Sequence, residues 1–146
     1  MTLKTILVAH DFSDSADRAL AFAAELAKQT ECALHLVYVL PDIYHGNSDL
    51  SLALPAAIEG QGERYMRFLE QELERIAKPI VGADVPVTAH VVHGEPSECI
   101  QELARELHGD AVCIGATGKR AAQRLMLGSV AQRTLRMSHV PVITVP

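Results

Sequence analysis

The amino-acid sequence predicts one α/β domain over residues 1–146, with an open, doubly wound sheet of five parallel strands. Three observations support this class. Apolar, strand-like runs alternate with amphipathic helices in the order β-α-β-α-β-α-β-α-β. The runs are apolar at consecutive positions, which is typical of strands that are covered on both faces. The length of 146 residues is that of one ordinary domain. We expect the strand order 3-2-1-4-5.

The strands are the most hydrophobic parts of the sequence. We expect them at residues 3–9, 32–40, 85–93, 111–115 and 140–145. Because crossovers between parallel strands are right-handed, this arrangement places helices on both faces of the sheet. Residues 41–57 are polar and show no regular apolar period, so we expect an irregular segment there.

Helices are expected between the strands, and sequence signals mark several of their ends. The helices follow the first strand, run from about residue 58 to 78, cover 97–107 and lie near 129–138. Ser13 or Ser15 can cap the first helix. Pro79 is expected to end the second helix. Pro96 suits the first turn of the third helix, and Gly109 suits its end.

Charge is distributed unevenly along the chain. The net charge is −5 at pH 7, yet all 18 acidic residues lie at or before Asp110. Residues 111–146 contain no acid and five basic residues, which are Lys119, Arg120, Arg124, Arg133 and Arg136. A basic C-terminal quarter favours an anion site, although a basic helix face in water gives the same pattern.

The composition is that of a globular, cytoplasmic protein. No apolar run reaches the roughly 18 residues that a membrane span needs, and MTLKTILVAHDFSD lacks the pattern of a signal peptide. Cys32, Cys99 and Cys113 form no CxxC pair and are expected to be reduced thiols. Since the chain has no Trp and few other aromatic residues, it offers little for stacking on nucleic acid bases. We expect neither a membrane nor a nucleic acid as partner.

The most informative segment is GATGKRAAQRLMLGSV, which follows the fourth strand. Gly115, Gly118 and Gly128 allow positive φ or the close approach of a ligand to the backbone. Ser129 opens the last helix, whose N-terminus attracts anions, and it can cap that helix or bind a phosphate oxygen. The glycine spacing fits neither a Walker loop nor the dinucleotide motif. The pattern favours a phosphate site, with a plain turn and a serine N-cap as the alternative.

The predicted topology places Asp11 beside this segment. In doubly wound sheets, ligands bind beyond the carboxyl ends of the strands where the strand order reverses, here between strand 1 and strand 4. Asp11 follows strand 1, and Gly115 ends strand 4. A carboxylate at this point can accept hydrogen bonds from ribose hydroxyls or an adenine amino group. Its alternative role is to cap the first helix.

These features together resemble the ATP-binding subgroup of the universal stress protein family. The signature of that subgroup is Gly, two residues, Gly, nine residues, then Gly-Ser or Gly-Thr, and residues 115–129 match it at full spacing. The similarity extends to ILVAHDFSDSADRALAFAAELA, GEPSECIQELA and SHVPVITVP, so it covers essentially the whole chain. The resemblance implies a Rossmann-like fold of the adenine nucleotide alpha hydrolase type, ATP as ligand with AMP as the alternative, and a homodimer.

The resemblance also implies a role for each residue of the site. Asp11 is expected near the ribose and adenine, with Ala9 and His10 beside it. Val39 matches the family's aliphatic position that contacts adenine. The ribose and phosphates are expected to be lined by Ile114, Gly115, Thr117 and Gly118, and the phosphate tail to be held by Gly128, Ser129 and Val130.

Two positions depart from the family pattern. Phe12 stands where many members have Gly, and we expect it to narrow the mouth of the pocket. Thr117 replaces a larger residue, often His or Arg, and we expect it to weaken one phosphate contact. Residues 41–57 are the variable region of the family, and we expect them to gate the site.

The histidines do not indicate a metal site of the protein's own. His90 and His93 are three apart on an expected strand and therefore point to opposite faces, and His35 is alone on its strand. Mg²⁺ or Mn²⁺ is expected to arrive with the triphosphate and to be bound mainly by phosphate oxygens and water. Ser138 and His139 are interpreted as a polar pair at a helix end.

The sequence predicts a regulator rather than a committed enzyme. We expect a stress-response protein or nucleotide-dependent switch that acts through an unknown protein partner, with slow or no ATP hydrolysis. The last strand, Val140 to Val145, lies at an edge of the predicted sheet and is expected to pair with a second copy, unless its prolines alone protect it. The alternatives are an enzyme that cleaves ATP and a nucleotide-free dimeric interaction module of the same family.

Overall fold

The computed structural model describes residues 2–40, 55–118 and 126–146. The strands are β1 (Thr5–Ala9), β2 (Ala33–Leu40), β3 (Val87–His93), β4 (Ala111–Gly115) and β5 (Val142–Val145). The helices are α1 (Asp14–Thr30), α2 (Pro55–Val81), α3 (Pro96–Glu106) and α4 (Ser129–Met137). All strands are parallel, and their order is β3-β2-β1-β4-β5, which confirms the predicted fold class.

Two apolar clusters cover the two faces of the sheet. One face packs against α1 and the end of α2, through residues such as Ile6, Leu20 and Leu34. The other face packs against α3 and α4, through residues such as Leu7 and Ile100. Because β1 and β4 are buried on both faces, their ends are fixed positions on which loops can be built. None of the helices in the described ranges combines the length and apolar character that crossing a bilayer requires.

The predicted end of α2 at Pro79 is wrong. The helix includes Pro79 and continues to Val81, which is almost fully buried against the sheet, while Ile80 is partly buried and packs against the same cluster. Gly82 then takes a positive φ of 82°, and its N–H donates to the Lys78 carbonyl at 3.1 Å. Burial of the last turn therefore outweighs the cost of a proline near the helix end, and a left-handed glycine stops the helix.

Other boundaries also differ from the sequence predictions. Residues 55–57, expected in the irregular segment, are the first turn of α2, whereas residues 41–54 lie outside the described residues. Ser13 rather than Ser15 caps α1, because its side chain accepts a hydrogen bond from the Ala16 N–H. After α3, His108 takes the left-handed conformation that was expected of Gly109.

A hydrogen bond between two histidines joins β2 to β3. His35 Nδ1 and His90 Nε2 are 2.9 Å apart, so the one histidine of β2 has a partner on the neighbouring strand. The centroids of the two rings are 5.2 Å apart, which equals the N···N distance plus the distance from nitrogen to centroid in each ring. The rings therefore meet edge to edge through this hydrogen bond rather than face to face. Burial lowers the pKa of both imidazoles, and His90 lowers the pKa of His35 further.

Candidate functional site

The turn after β1 is held by hydrogen bonds between side chains and backbone. The Phe12 N–H donates to His10 Nδ1 at 3.1 Å, and the Ser13 N–H donates to Asp11 Oδ1 at 3.1 Å. The His10 ring is fully buried, and its Nε2 lies 3.0 Å from Asp17 Oδ1. Asp11 is therefore part of a short, ordered turn, but the N-cap of α1 is Ser13. The alternative role of Asp11 as the helix cap is wrong.

The loop after β4 approaches this turn at Gly118. A Cβ atom at Gly118 would lie 3.0 Å from Asp11 Oδ2, which is tighter than ordinary van der Waals contact. Gly118 is exposed, so the close approach faces solvent at the carboxyl ends of β1 and β4. The structure thus brings Asp11 and Gly118 together at the predicted position in the fold.

Gly128 closes the same loop. Its N–H donates to the Ala116 carbonyl at 2.7 Å, and a Cβ atom at Gly128 would lie 3.5 Å from the Gly118 nitrogen. Gly128 is also the N-cap of α4, and among the described residues no side chain makes a capping hydrogen bond to this helix. The prediction that Ser129 caps α4 is wrong, because Ser129 is the first helical residue and is exposed.

The third glycine of the pattern, Gly115, has a packing role. A Cβ atom there would lie 2.5 Å from Ser15 Oγ and 2.8 Å from the Ser15 carbonyl carbon. Helix α1 therefore crosses the end of β4 at a distance that only glycine allows. Positive φ is not the reason for any glycine of the pattern, since Gly115, Gly118 and Gly128 all lack it. Close approach explains Gly115 and Gly118, whereas a Cβ atom at Gly128 would meet its neighbours at 3.4 Å or more, which is ordinary van der Waals contact.

Ser15 links α1 to β5 and to the loop after β4. In the sequence, Ser15 is only a candidate cap of α1. It is buried, and its Oγ donates to the Val145 carbonyl at 3.3 Å and accepts the Thr117 N–H at 3.4 Å. The Ala116 N–H also donates to the Val145 carbonyl, at 2.7 Å. The loop after β4 is thus attached to α1 and to the end of β5. A serine two residues after a capping serine is the sequence signal that pointed to it.

The remaining predicted residues form an apolar floor. Ala9 and Ile114 are neighbours in the sheet, on β1 and β4. Both are buried in the cluster that faces α3 and α4, and this cluster also contains Val39, with Val130 packed against it. Val39 lies beyond the last pair of β1 and β2, which is Ala9 with Val37. The floor therefore extends from β4 to the end of β2.

Three aromatic rings, those of His10, Phe12 and Tyr38, pack together beside Asp11. The Phe12 ring packs edge-on against Tyr38, at 5.1 Å between centroids, and against His10, at 5.6 Å. Phe12 also contacts the cluster of Leu69, Leu73 and Val91 under α2, so its ring lies on the α2 side of the strand ends. Burial raises the pKa of the Tyr38 phenol, with smaller contributions from Tyr65 and Asp11.

The basic residues of the C-terminal quarter do not all serve one site. Lys119, Arg120 and Arg124 lie outside the described residues. Arg133 forms ion pairs with Glu95 at 3.4 Å and Glu98 at 3.2 Å, which join α4 to α3. Burial acts to raise the pKa of Glu95, but the hydrogen bonds from Ser97 and the Glu98 N–H, with a smaller contribution from Arg133, lower it below its usual value.

The His, Cys, Asp and Glu side chains do not converge on a metal position in the described residues. No group of three or more of them is arranged to hold an ion in residues 2–40, 55–118 and 126–146. Ser138 is the C-cap of α4 and His139 follows it, so the two form a polar pair at a helix end, as expected. Ser138 Oγ donates to the Val140 carbonyl at 2.7 Å, and His139 Nδ1 lies 3.2 Å from Gln101 Oε1.

Comparisons with known proteins decide the family. The model of the universal stress protein family matches residues 2–146. The chain belongs to the universal stress protein family. Universal stress protein G of Escherichia coli O157:H7 is 31% identical over 145 residues, which cover 97% of this chain and 98% of that protein. The solved structure of the hypothetical protein MJ0577 has a TM-score of 0.81 at 24% identity and covers 99% of this chain and 96% of its own.

Two other solved structures of the family carry nucleotides. A universal stress protein in complex with cAMP has a TM-score of 0.69 at 24% identity and covers 99% of this chain and 98% of its own. The universal stress protein from Archaeoglobus fulgidus in complex with dAMP has a TM-score of 0.62 at 23% identity, and the match covers 100% of both chains. Both ligands contain adenine, and both proteins share the fold of this chain.

Proposed function

We propose that residues 1–146 form one domain that binds an adenine nucleotide, ATP or AMP, at the carboxyl ends of β1 and β4. The observation that carries this proposal is the approach of Gly118 to Asp11 Oδ2, where a Cβ atom would lie at 3.0 Å. The cAMP and dAMP complexes of two relatives in fold support the class of ligand. In this proposal the chain belongs to the ATP-binding subgroup of its family.

Each part of the site suits a different part of the nucleotide. The Asp11 carboxylate can accept hydrogen bonds from the ribose hydroxyls, and the apolar floor of Ala9, Val39 and Ile114 can contact the base. The phosphates can lie at the N-terminus of α4, where Ser129 and Val130 supply the first backbone N–H groups of the helix. The N–H of Gly128 is bonded to the Ala116 carbonyl, so Gly128 contributes by the absence of a side chain, which lets the phosphates approach the backbone. Gly115 acts indirectly, by letting α1 hold the loop that contains Thr117 and Gly118.

Both ring nitrogens of His10 form hydrogen bonds within the protein, one with Phe12 and one with Asp17. In this proposal His10 therefore supports the site without contacting the nucleotide. Mg²⁺ or Mn²⁺ would be carried by the phosphate oxygens and water.

The proposed role is that of a regulator or switch, because the site supports binding better than catalysis. Asp11 Oδ1 accepts the Ser13 N–H, and the His10 ring is fully buried, so neither group is placed as a general base for an attacking water. We expect hydrolysis of ATP to be slow. Steady turnover at ordinary enzyme rates, of order 1–10³ per second, would favour the alternative of an ATP-cleaving enzyme.

The last strand is the proposed dimer surface. Within the described residues β5 pairs with β4 alone, so it forms an edge of the sheet. Its apolar side chains Val142, Ile143 and Val145 are only partly buried, and an edge of this kind invites pairing. We propose a homodimer formed through Val140 to Val145, with an unknown protein partner that responds to the nucleotide. Three free cysteines fit a reducing, cytoplasmic environment.

The test compares the purified wild type with Gly118→Val. Mass spectrometry of the material released on denaturation, and calorimetric titration with ATP and Mg²⁺, are expected to show adenine nucleotide and saturable binding for the wild type. The valine side chain would occupy the space beside Asp11 Oδ2, so we expect binding to be lost while the dimer persists in light scattering.

The matched control is Gly62→Val. Gly62 lies in α2, and a Cβ atom there would have no neighbour within 4 Å, so binding should be retained. A wild-type protein that contains no nucleotide and ignores ATP and AMP would overturn the proposal. The nucleotide-free interaction module would then be the better description.

A further inference from the structure

The His10 ring is held in one neutral tautomer. Its side chain is fully buried at the end of β1. A backbone N–H can only donate, so the bond from the Phe12 N–H at 3.1 Å requires that His10 Nδ1 carry no proton. The proton therefore lies on Nε2, which donates to Asp17 Oδ1 at 3.0 Å. Asp17 on α1 thus fixes both the orientation and the tautomer of the ring.

The ring supports an unfavourable backbone conformation next to Asp11. Phe12 has φ 61°, in the left-handed region that residues with a Cβ rarely adopt. The N–H that His10 accepts belongs to Phe12, so the hydrogen bond stabilises the turn at its least favourable residue. Asp11 lies between these two residues. Its Oδ1 accepts the Ser13 N–H, and its Oδ2 is the atom that Gly118 approaches.

We infer that His10 is a positioning residue for nucleotide binding, an inference that rests on the proposed function. His10 accepts the Phe12 N–H, holds the turn that aims the Asp11 carboxylate, and so sets the affinity for the ribose hydroxyls. Asp17 acts behind it by keeping the proton on Nε2. The two groups never touch the ligand in this arrangement, yet they determine how strongly the protein distinguishes a ribose from a sugar without hydroxyls.

Two substitutions at His10 separate positioning from space filling. His10→Leu fills the cavity but offers no acceptor to the Phe12 N–H. His10→Asn is smaller, but its side-chain oxygen can take the place of Nδ1 and accept that N–H. We expect His10→Leu to weaken ATP binding by about tenfold, the effect of one hydrogen bond on a binding constant. His10→Asn should restore most of the affinity.

The decisive measurement is the preference for ATP over 2′,3′-dideoxy-ATP. A purely structural role of His10 would leave this preference unchanged. Calorimetry should show that His10→Leu binds the dideoxy nucleotide as the wild type does, so that the preference for ATP disappears. Asp17→Ala, at a half-exposed carboxylate, should lower the preference partly and provides a second test if His10→Leu does not fold. Equal weakening of both nucleotides in these variants, with the preference intact, would overturn the inference.

A measurement without nucleotide keeps this inference distinct from the proposed function. Hydrogen exchange at the Phe12 amide, followed by NMR, should be slow in the wild type and in His10→Asn and fast in His10→Leu. Slow exchange in all three proteins would show that His10 does not hold the turn, whatever the ligand. If exchange follows the expected pattern but the wild type binds no nucleotide, the turn is as described and the proposed function is wrong.

Discussion

Gly115 and Gly118 lie three residues apart and occupy opposite surroundings. Gly115 is buried at the end of β4, where the backbone of α1 leaves no room for a side chain. Gly118 is exposed, and the atom nearest to its missing Cβ is the Asp11 carboxylate oxygen. The first glycine is required for folding, and the second leaves space at a surface that faces solvent. Two glycines of one motif are therefore needed for different physical reasons, and substitutions can distinguish the two roles.

The largest expected effect is that of Gly115→Ala. Its Cβ would stand 2.5 Å from Ser15 Oγ and 2.8 Å from the Ser15 backbone, so α1 must move away from the sheet. We expect the free energy of unfolding to fall by about 2–3 kcal/mol, measured by urea denaturation. Gly62 lies in α2, and a Cβ atom there would meet no neighbour within 4 Å, so Gly62→Ala should instead stabilise the protein by about 0.5–1 kcal/mol. Equal stability of the two variants would show that α1 does not restrict β4.

A middle-sized effect is expected for Ser15→Ala. The change removes the group that accepts the Thr117 N–H and donates to the Val145 carbonyl, so the loop after β4 loses one attachment. We expect a loss of about 1 kcal/mol in the free energy of unfolding, with faster exchange at the Thr117 amide.

Ser129→Ala is the matched control for this comparison. Ser129 also stands in the first turn of a helix beside the site, but it does not cap α4. The variant should therefore stay within about 0.5 kcal/mol of the wild type. A loss as large as that of Ser15→Ala would mean that Ser129 caps the helix after all.

The smallest expected effect is on the pH dependence of stability, and it concerns His35 and His90, which lie away from both glycines. Burial lowers the pKa of His35 and His90 below their usual value of 6.5, so below that pH the unfolded chain binds more protons than the folded one. Stability should fall as the pH drops from 7.5 to 5.5. Replacing both histidines by Gln should make this slope shallower, by less than about 1 kcal/mol because both rings keep contact with solvent.

Urea denaturation at the two pH values measures the slope. Thr88→Gln, which changes an exposed residue of β3 that does not titrate, is the control and should keep the slope of the wild type. If the double variant loses stability between the two pH values as steeply as the wild type, other groups are responsible for the dependence.

The order of the elements and the place of the site could be predicted because both depend on local patterns. Apolar runs and helical periods determine the fold class, and the parallel topology then brings Asp11 to the Gly115 loop. The sequence also indicated that Gly115, Gly118 and Gly128 stand where bare backbone is needed. It did not reveal why they are needed, since the sequence allowed positive φ and close approach equally.

The features that could not be predicted depend on contacts between distant parts of the chain. His35 meets His90 only because β2 and β3 pair with Val37 opposite His90. Pro79 remains helical because the residues after it are buried against the sheet. Ser15 was expected to act locally, but its partners are more than 100 positions away. Propensity rules cannot supply such information.

The position of β1 in the sheet has a consequence for synthesis on the ribosome. One edge of β1 can pair with β2, which follows directly after α1, but its other edge waits for β4. The Asp110 carboxylate that receives the Lys4 and Thr5 N–H groups is 106 and 105 positions further along the chain. At about 5–20 residues per second, that interval lasts roughly 5–20 s. The central strand of the nascent chain is therefore half-covered during most of translation, and this is the period in which a chaperone has a binding segment to recognise.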